Sequence, residues 1–547
     1  MRAFDHSVTI RHRGAALFGT CRPRLELLHE ELKFLVKGGG LASSPTSRGW
    51  GSEMASTPKV KATVTAGSFP FGSAGQLARA VRTGKVSAVE LLQAYLERVD
   101  RLNPAINAVV VDDRAAALKQ ARAADRALAK GAKVGPLHGV PITVKESFTM
   151  VGQPTTWGFP ELKGNISTTD AVVVQRLRAA GAVIFGKTNV PVSLADFQSY
   201  NEVYGTTNNP WDHSRVPGGS SGGSAAATAA GLSGLEYGSD IGGSIRTPAS
   251  YCGVYGHKPT YGIVPKRGQT VDDSWISEGD ISVIGPIARS ADDLALALDV
   301  TAGPDELLAP GWKLQLPKAP TSLRGLRVAV WADQPDLSPV DDEVRERIDA
   351  AAEALRKAGA KVSHTARPDF DVAEAHVTYQ HLLMALMAPP GAAYRELVAK
   401  AAELDPADRG PYAQQLRWST SSYREFSIAA NRREHLRWAW RRFFADHDVL
   451  LAPITPTVAF PHDQSEPMGM RTLTVNGKEV SYFAQLFWAG LAIASYLPAT
   501  VAPIGPTASG LPVGVQVIGA EMADRTTIWT AGQLGTLLGG FTPPPGY

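Results

Sequence analysis

Helical and strand-like segments alternate along most of this chain, and no other feature limits its fold so tightly. "GPLHGVPITVKESF" (135–148) reads as a short strand ending at Lys145, "DAVVVQRLRAAG" (170–181) as a helix closed by Gly181, and "AVIFGKT" (182–188) as a buried strand. Upstream, Leu77, Val81, Val89, Leu92, Leu96 and Val99 fall at helical spacing, and Ser87 with Glu90 forms a capping box. Two helices joined near Gly84 are therefore predicted. Downstream come a strand at "RVAVWA" (327–332), a helix at "DDEVRERIDAAAEALRKAG" (341–359) and long helical stretches from about 370 to 446. The end, "DVLLAPITP" (448–456) and "LPATVAPIGPTASGLPVGVQVIG" (497–519), returns to strands and turns. Such alternation puts strands into a sheet and helices onto its faces, an α/β layered fold. No repeat of solenoid period interrupts it.

Composition excludes several classes. The 547 residues are 44% hydrophobic and 20% charged, which describes a soluble globular protein with ample core. Net charge is +3; residues 1–53 carry eight Lys/Arg against five Asp/Glu, and the remainder is balanced at 47 of each. Neither nucleic acid nor an anionic membrane is an expected partner. Two cysteines, Cys21 and Cys252, make no disulfide framework and lack metal-ligand spacing, which fits a reducing compartment and a cytoplasmic location. No apolar run approaches a membrane span, and the twelve histidines include no HExxH pair, so no metal site is predicted. Residues 1–53 lack the apolar core of a secretory signal, and "KGGGLASSPTSRGWGSE" (37–53) reads as linker. The organisation expected is a flexible extension over 1–65 and one domain over 66–547.

Two motif matches fail on context. "GAVIFGKT" (181–188) satisfies the P-loop expression, but a helix precedes Gly181, the middle is strand-like, and Pro191 opposes a following helix. "GGSSG" (218–222) satisfies the hydrolase elbow, yet "NNPWDHSRVP" before it is a loop and no HGGG-like segment appears. A Ser-His-Asp hydrolase stays open as an alternative, because triads assemble across sequence.

"GSDIGGSIRTP" (238–248) is more informative. Successive N–H groups on a glycine-rich turn form a concave donor array suited to an anion. A tetrahedral intermediate of acyl transfer carries its charge on the former carbonyl oxygen, so donors beside a nucleophilic hydroxyl suit that chemistry. Three elements occur together: "GVPITVKESF" with Lys145, "VPGGSSGGSAAATAAGL" with Ser220, and "YGSDIGGSIRTPASYCGVYGHKPTYG" with Ser244, the two serines 24 residues apart.

In these elements, and in "DVLLAPITPT" and "GLPVGVQVIG" near the end, the chain resembles the amidase signature hydrolases from about residue 70 to 540. The resemblance implies a single large α/β/α domain with a twisted mixed β-sheet covered by helices on both faces. Its signature core spans about 135–265 and a more variable helical region about 303–446. It implies a Ser-cisSer-Lys triad, with Ser244 as nucleophile, Lys145 as base and Ser220 relaying the proton across a cis Gly219–Ser220 peptide. A serine hydroxyl needs such a base, and a lysine can serve only when neutral, which burial favours. The backbone at Ile241, Gly242, Gly243 and Ser244 is the implied oxyanion hole, with Asp240 and Arg246 orienting the loop and Ser221, Ser224 and Thr247 as supporting hydroxyls.

The implied reaction is hydrolysis of an amide, and by extension an ester, aryl amide or carbamate (urethane), with no cofactor. The substrate is a small molecule and the protein a monomer or homo-oligomer. Tyr482, Phe483, Phe487 and Trp488, in "VSYFAQLFWAGLAIASY" (480–496), are candidates for an apolar substrate pocket, although helical core packing explains them too. The glutaminase component of a tRNA amidotransferase is the alternative within the same family.

Overall fold

Strands buried on both faces have no need of apolar/polar alternation, and here they do not show it: "VIGPIA" (Val283–Ala288) and "PVGVQVIG" (Pro512–Gly519) are buried at every position. A computed structural model describes residues 69–547, all within one compact unit. The extension and linker predicted over residues 1–65 lie outside the described residues, as does Cys21.

Eight strands form the main sheet. In spatial order they are Lys361–Ser363, Arg327–Val330, Val449–Pro453, Pro512–Gly519, Ala499–Pro506, Tyr255–Lys258, Val283–Ala288 and Glu236–Asp240. The first three run parallel and the remaining neighbours antiparallel, so the sheet is mixed. Helices cover both faces. Gly514 and Gly519 lie on one strand an odd number of residues apart and so face opposite ways. A Cβ at Gly514 would come within 3.0 Å of Ser250 in helix Arg246–Tyr251, and one at Gly519 within 2.6 Å of Thr527 in helix Asp524–Leu538.

A second, three-stranded sheet carries Lys145. Strand Val183–Thr188 lies at its centre, parallel to Pro141–Lys145 and antiparallel to Val109–Asp112. The last six residues of the rejected P-loop motif form that central strand, where fully buried Lys187 donates to the Pro154 carbonyl and to Thr155 Oγ1 at 2.8 Å. The predicted helix pair is Ala74–Arg82 and Ala88–Ile106, broken at Gly84 (φ 69°), with the capping box at Ser87 and Glu90 formed. The helical stretch from 370 to 446 resolves into four helices: Val372–Met387, Gly391–Ala402, Pro411–Ser419 and Tyr423–Asp446.

Candidate active site

Lys145 ends its strand with its side chain wholly removed from solvent. Its Nζ donates to Ser220 Oγ at 2.6 Å and to Ser239 Oγ at 2.9 Å. Burial lowers its pKa to about 7, against the opposing pull of the Asp240 and Glu146 charges. The neutral amine is therefore well populated at neutral pH.

Ser220 sits in the turn that leads into helix Gly222–Ala229, after a cis Gly219–Ser220 peptide. Gly219 has no room for a side chain: a Cβ there would run into the backbone of Asp196 and Gln198. The next residue joins this turn to the Gly-rich one, since Ser221 N–H donates to the Ser244 carbonyl at 3.1 Å. Gly238 makes room for Ser221, whose Oγ would lie 2.6 Å from a Cβ at that strand position.

Ser244 lies just past strand Glu236–Asp240 and is 7% exposed, so its hydroxyl is nearly enclosed. Asp240 shapes the turn. Its carboxylate accepts from the N–H of Gly243 at 2.8 Å and of Ile245 at 3.2 Å, and from Arg246 Nε at 2.9 Å. Arg246 continues to Gln516 Oε1 (2.8 Å) and the Ala489 carbonyl (3.2 Å), tying the turn to the sheet and to helix Gln485–Ile493. Burial acts to raise the Asp240 pKa, but the Arg246 charge and hydrogen bonds outweigh it, and the carboxyl stays below its usual range.

That network engages one of the four amides expected of an oxyanion hole. The Gly243 N–H is taken by Asp240, whereas the N–H groups of Ile241, Gly242 and Ser244 have no partner among the described residues. Gly243 contributes geometry instead. It adopts φ 100°, and a Cβ there would lie 2.8 Å from Thr247 Oγ1.

The aromatic residues named for a substrate pocket lie largely in the core. Trp488 is fully buried and packs edge-on against Trp331 and Phe487 in the main core. Phe487 borders a cavity of only about 20 Å³ with His376, Tyr379 and Trp440, room for one water and not for a substrate. Tyr482 is buried as well, its hydroxyl donating to Asp196 Oδ1 at 2.6 Å. The residues of helix Gln485–Ile493 nearest the Gly-rich turn are Leu486 and Ala489, each 3.4 Å from where a Cβ would stand on Gly242 and Gly243 respectively. Each residue turns the helix by about 100°, so 486 and 489 share a face that 487 and 488 leave. Partly buried Ile241 and Phe483 both pack against an apolar cluster that includes Leu382, Leu383 and Leu486.

Sequence reasoning did not single out Ser239. The alternation of strand Glu236–Asp240 offered a signal: Ser239 and Tyr237 share a face opposite to that of Gly238 and Asp240.

A buried lysine–serine pair, joined through Ser221 to a glycine-rich turn with free amide donors, is an arrangement suited to acyl chemistry. The Amidase family model matches residues 90–528, and the chain belongs to that family. It is 36% identical over 454 residues to an indoleacetamide hydrolase of Bradyrhizobium diazoefficiens, covering 82% of each chain. To a glutamyl-tRNA(Gln) amidotransferase component from Streptomyces coelicolor it is 34% identical, over 83% of this chain and 93% of the relative. The crystal structure of a bacterial aryl acylamidase of the amidase signature family superposes with a TM-score of 0.73 at 25% identity, over 85% of this chain and 96% of the other. The protein is thus an amidase, a hydrolase of carbon–nitrogen amide bonds acting on small molecules. Among the described residues no helix is long and apolar enough to cross a membrane.

Proposed function

We propose that this amidase hydrolyses amides of apolar or aryl small molecules through an acyl-enzyme on Ser244, with Ser220 and Lys145 as its proton relay. The observation that carries the reading is the 2.6 Å hydrogen bond between buried Lys145, its pKa lowered to about 7, and Ser220 Oγ, in a turn bonded to Ser244. Ser244 Oγ attacks the carbonyl carbon while its proton passes to Ser220 and the Ser220 proton passes to Lys145. The C=O electron pair moves onto oxygen, where the N–H groups of Ile241, Gly242 and Ser244 meet it. Collapse of this intermediate breaks the C–N bond, and the nitrogen leaves with the proton returned by the relay. Water, deprotonated by the same relay, then cleaves the ester to release the acid and regenerate Ser244.

The apolar surroundings of Ile241 support an aryl or alkyl group beside the scissile bond, and the names of the indoleacetamide hydrolase and aryl acylamidase agree with it. Carbamates present the same carbonyl to the same groups. We place the enzyme in the cytoplasm on its sparing use of cysteine, Cys252 being buried. The test is a panel of primary amides, anilides, esters, carbamates and free glutamine, with products identified by mass spectrometry. Turnover of aryl or alkyl amides with no glutaminase activity is expected. Glutamine as the sole substrate, together with co-purification of a partner, would replace this reading with the amidotransferase one.

A further inference from the structure

The Gly-rich turn is held from a distant part of the chain. Tyr379, in helix Val372–Met387, is 1% exposed, and its hydroxyl donates to the Ile241 carbonyl oxygen at 2.8 Å. The ring is fixed from behind: a Cβ on Gly490 would lie 2.5 Å from Tyr379 Cδ1, so the helix Gln485–Ile493 presents bare backbone to the ring face. From the front, a Cβ on Gly242 would lie 3.5 Å from the Tyr379 hydroxyl oxygen.

The carbonyl of Ile241 and the N–H of Gly242 belong to one peptide unit. That unit is trans, and in a trans peptide the C=O and N–H point in opposite directions. Whatever holds the carbonyl therefore aims the amide. Rotation of the unit by half a turn would point a carbonyl lone pair at the site of the developing oxyanion and convert attraction into repulsion. A glycine at 242 lowers the barrier to such rotation, because no Cβ restricts its dihedrals. The Asp240 carboxylate pins the following amide, Gly243 N–H, and the Ile245 amide, but no hydrogen bond to Asp240 reaches the Ile241–Gly242 unit. Burial raises the Tyr379 phenol pKa, so the hydroxyl keeps the proton it donates.

We propose that Tyr379 is a positioning residue of the amidase: its hydroxyl locks the Ile241–Gly242 peptide so that the Gly242 N–H faces the oxyanion. The assignment rests on the Ser244 acyl-enzyme described above. It also gives a reason for two positions 138 residues apart to meet at a single hydrogen bond. Tyr379 touches no reacting atom and acts only through the backbone.

The test compares Tyr379→Phe, which keeps the ring and removes the hydroxyl, with the parent enzyme. Loss of a whole oxyanion donor costs roughly 100- to 1000-fold in kcat. Loss of its aim is expected to lower kcat by about 10- to 100-fold, with KM changed less than about threefold. Affinity for a trifluoromethyl ketone, which forms a charged tetrahedral adduct with Ser244, should fall in parallel with kcat/KM, while competitive inhibition by an uncharged aniline, the product amine of an anilide, stays unchanged. A purely structural tyrosine would shift the unfolding midpoint and leave that ketone-to-amine ratio untouched. Gly490→Ala, which displaces the ring while retaining the hydroxyl, should give the same kinetic signature. Parent-like kcat/KM in Tyr379→Phe, or equal loss of ketone and amine binding, overturns the assignment. Ser244→Ala in the same assay separates the two layers: if it stays active, the acyl-enzyme reading fails, whereas an inactive Ser244→Ala beside a fully active Tyr379→Phe sinks the tyrosine role alone.

Discussion

Replacing Lys145 by methionine should silence the enzyme and yet stabilise it at neutral pH. An unfolded chain holds the lysine proton up to its ordinary value of 10.5, whereas the folded protein releases it at about 7. Between those values the unfolded chain binds one more proton, so the folded state gains stability as pH rises through that window. Below pH 7 both states are protonated and the penalty of the buried ammonium is constant; above 10.5 it is gone. At about 1.4 kcal/mol per pH decade, the lysine costs about 4 kcal/mol at pH 7. Methionine has a similar length and no charge, but it forfeits the two hydrogen bonds to Ser220 and Ser239, about 1 kcal/mol each. The net expectation is a gain of about 2 kcal/mol at pH 7, a crossover near about pH 9, and a loss above it. Urea denaturation of parent and Lys145→Met at half-unit pH steps measures the difference, and other buried lysines cancel because both chains contain them. A difference that does not vary with pH, or a variant already less stable at pH 7, would refute the claim that burial is what neutralises Lys145.

Three further outcomes follow from the same geometry. With the neutral amine as the proposed base, kcat/KM should climb about tenfold per pH unit up to about pH 7 and then level off, read from initial rates on an amide whose own groups do not titrate. A fluorophosphonate probe should label the parent at Ser244 and leave Ser244→Ala unlabelled, while the double variant Lys145→Ala/Ser220→Ala should turn over little more slowly than the poorer single one, as the proposed relay requires of a cooperating pair. Leu486→Ala should change the ranking of aryl against alkyl amides, whereas Trp488→Phe should lower the unfolding midpoint without altering that ranking, as competition assays and thermal melts would show.

Lys145, Ser220 and Ser244 were singled out through the family resemblance of the segments that hold them, and the glycines of those segments have local causes. Gly219 and Gly238 stand where neighbouring backbone or side chains leave no space for a Cβ, and such positions leave glycines in the written sequence. The two opening helices could be read from spacing and a capping box for the same reason, every contact involved lying within four residues. The aromatic segment around 482–488 was ambiguous because its helix is apolar on all sides, so composition cannot say which face meets the active site. Packing against Trp331 resolves that for Phe487 and Trp488, and the approach of Leu486 and Ala489 to the Gly-rich turn supplies the face that was missed.

By itself, then, the sequence determined the class of fold and the order of its elements, and through a family resemblance it pointed to Lys145, Ser220 and Ser244. Tertiary structure decided their chemical states. Nothing written near Lys145 lowers its pKa; that follows from desolvation by segments folded around it, with Ser220 and Ser239 brought from 75 and 94 residues away. Nothing in "SDIGGS" says which amides remain free, since Asp240 captures Gly243 only once the turn is closed and Tyr379 reaches Ile241 across 138 residues. Dihedral preference and periodicity are properties of neighbours in the chain, whereas burial and the partner of a hydrogen bond are properties of neighbours in space.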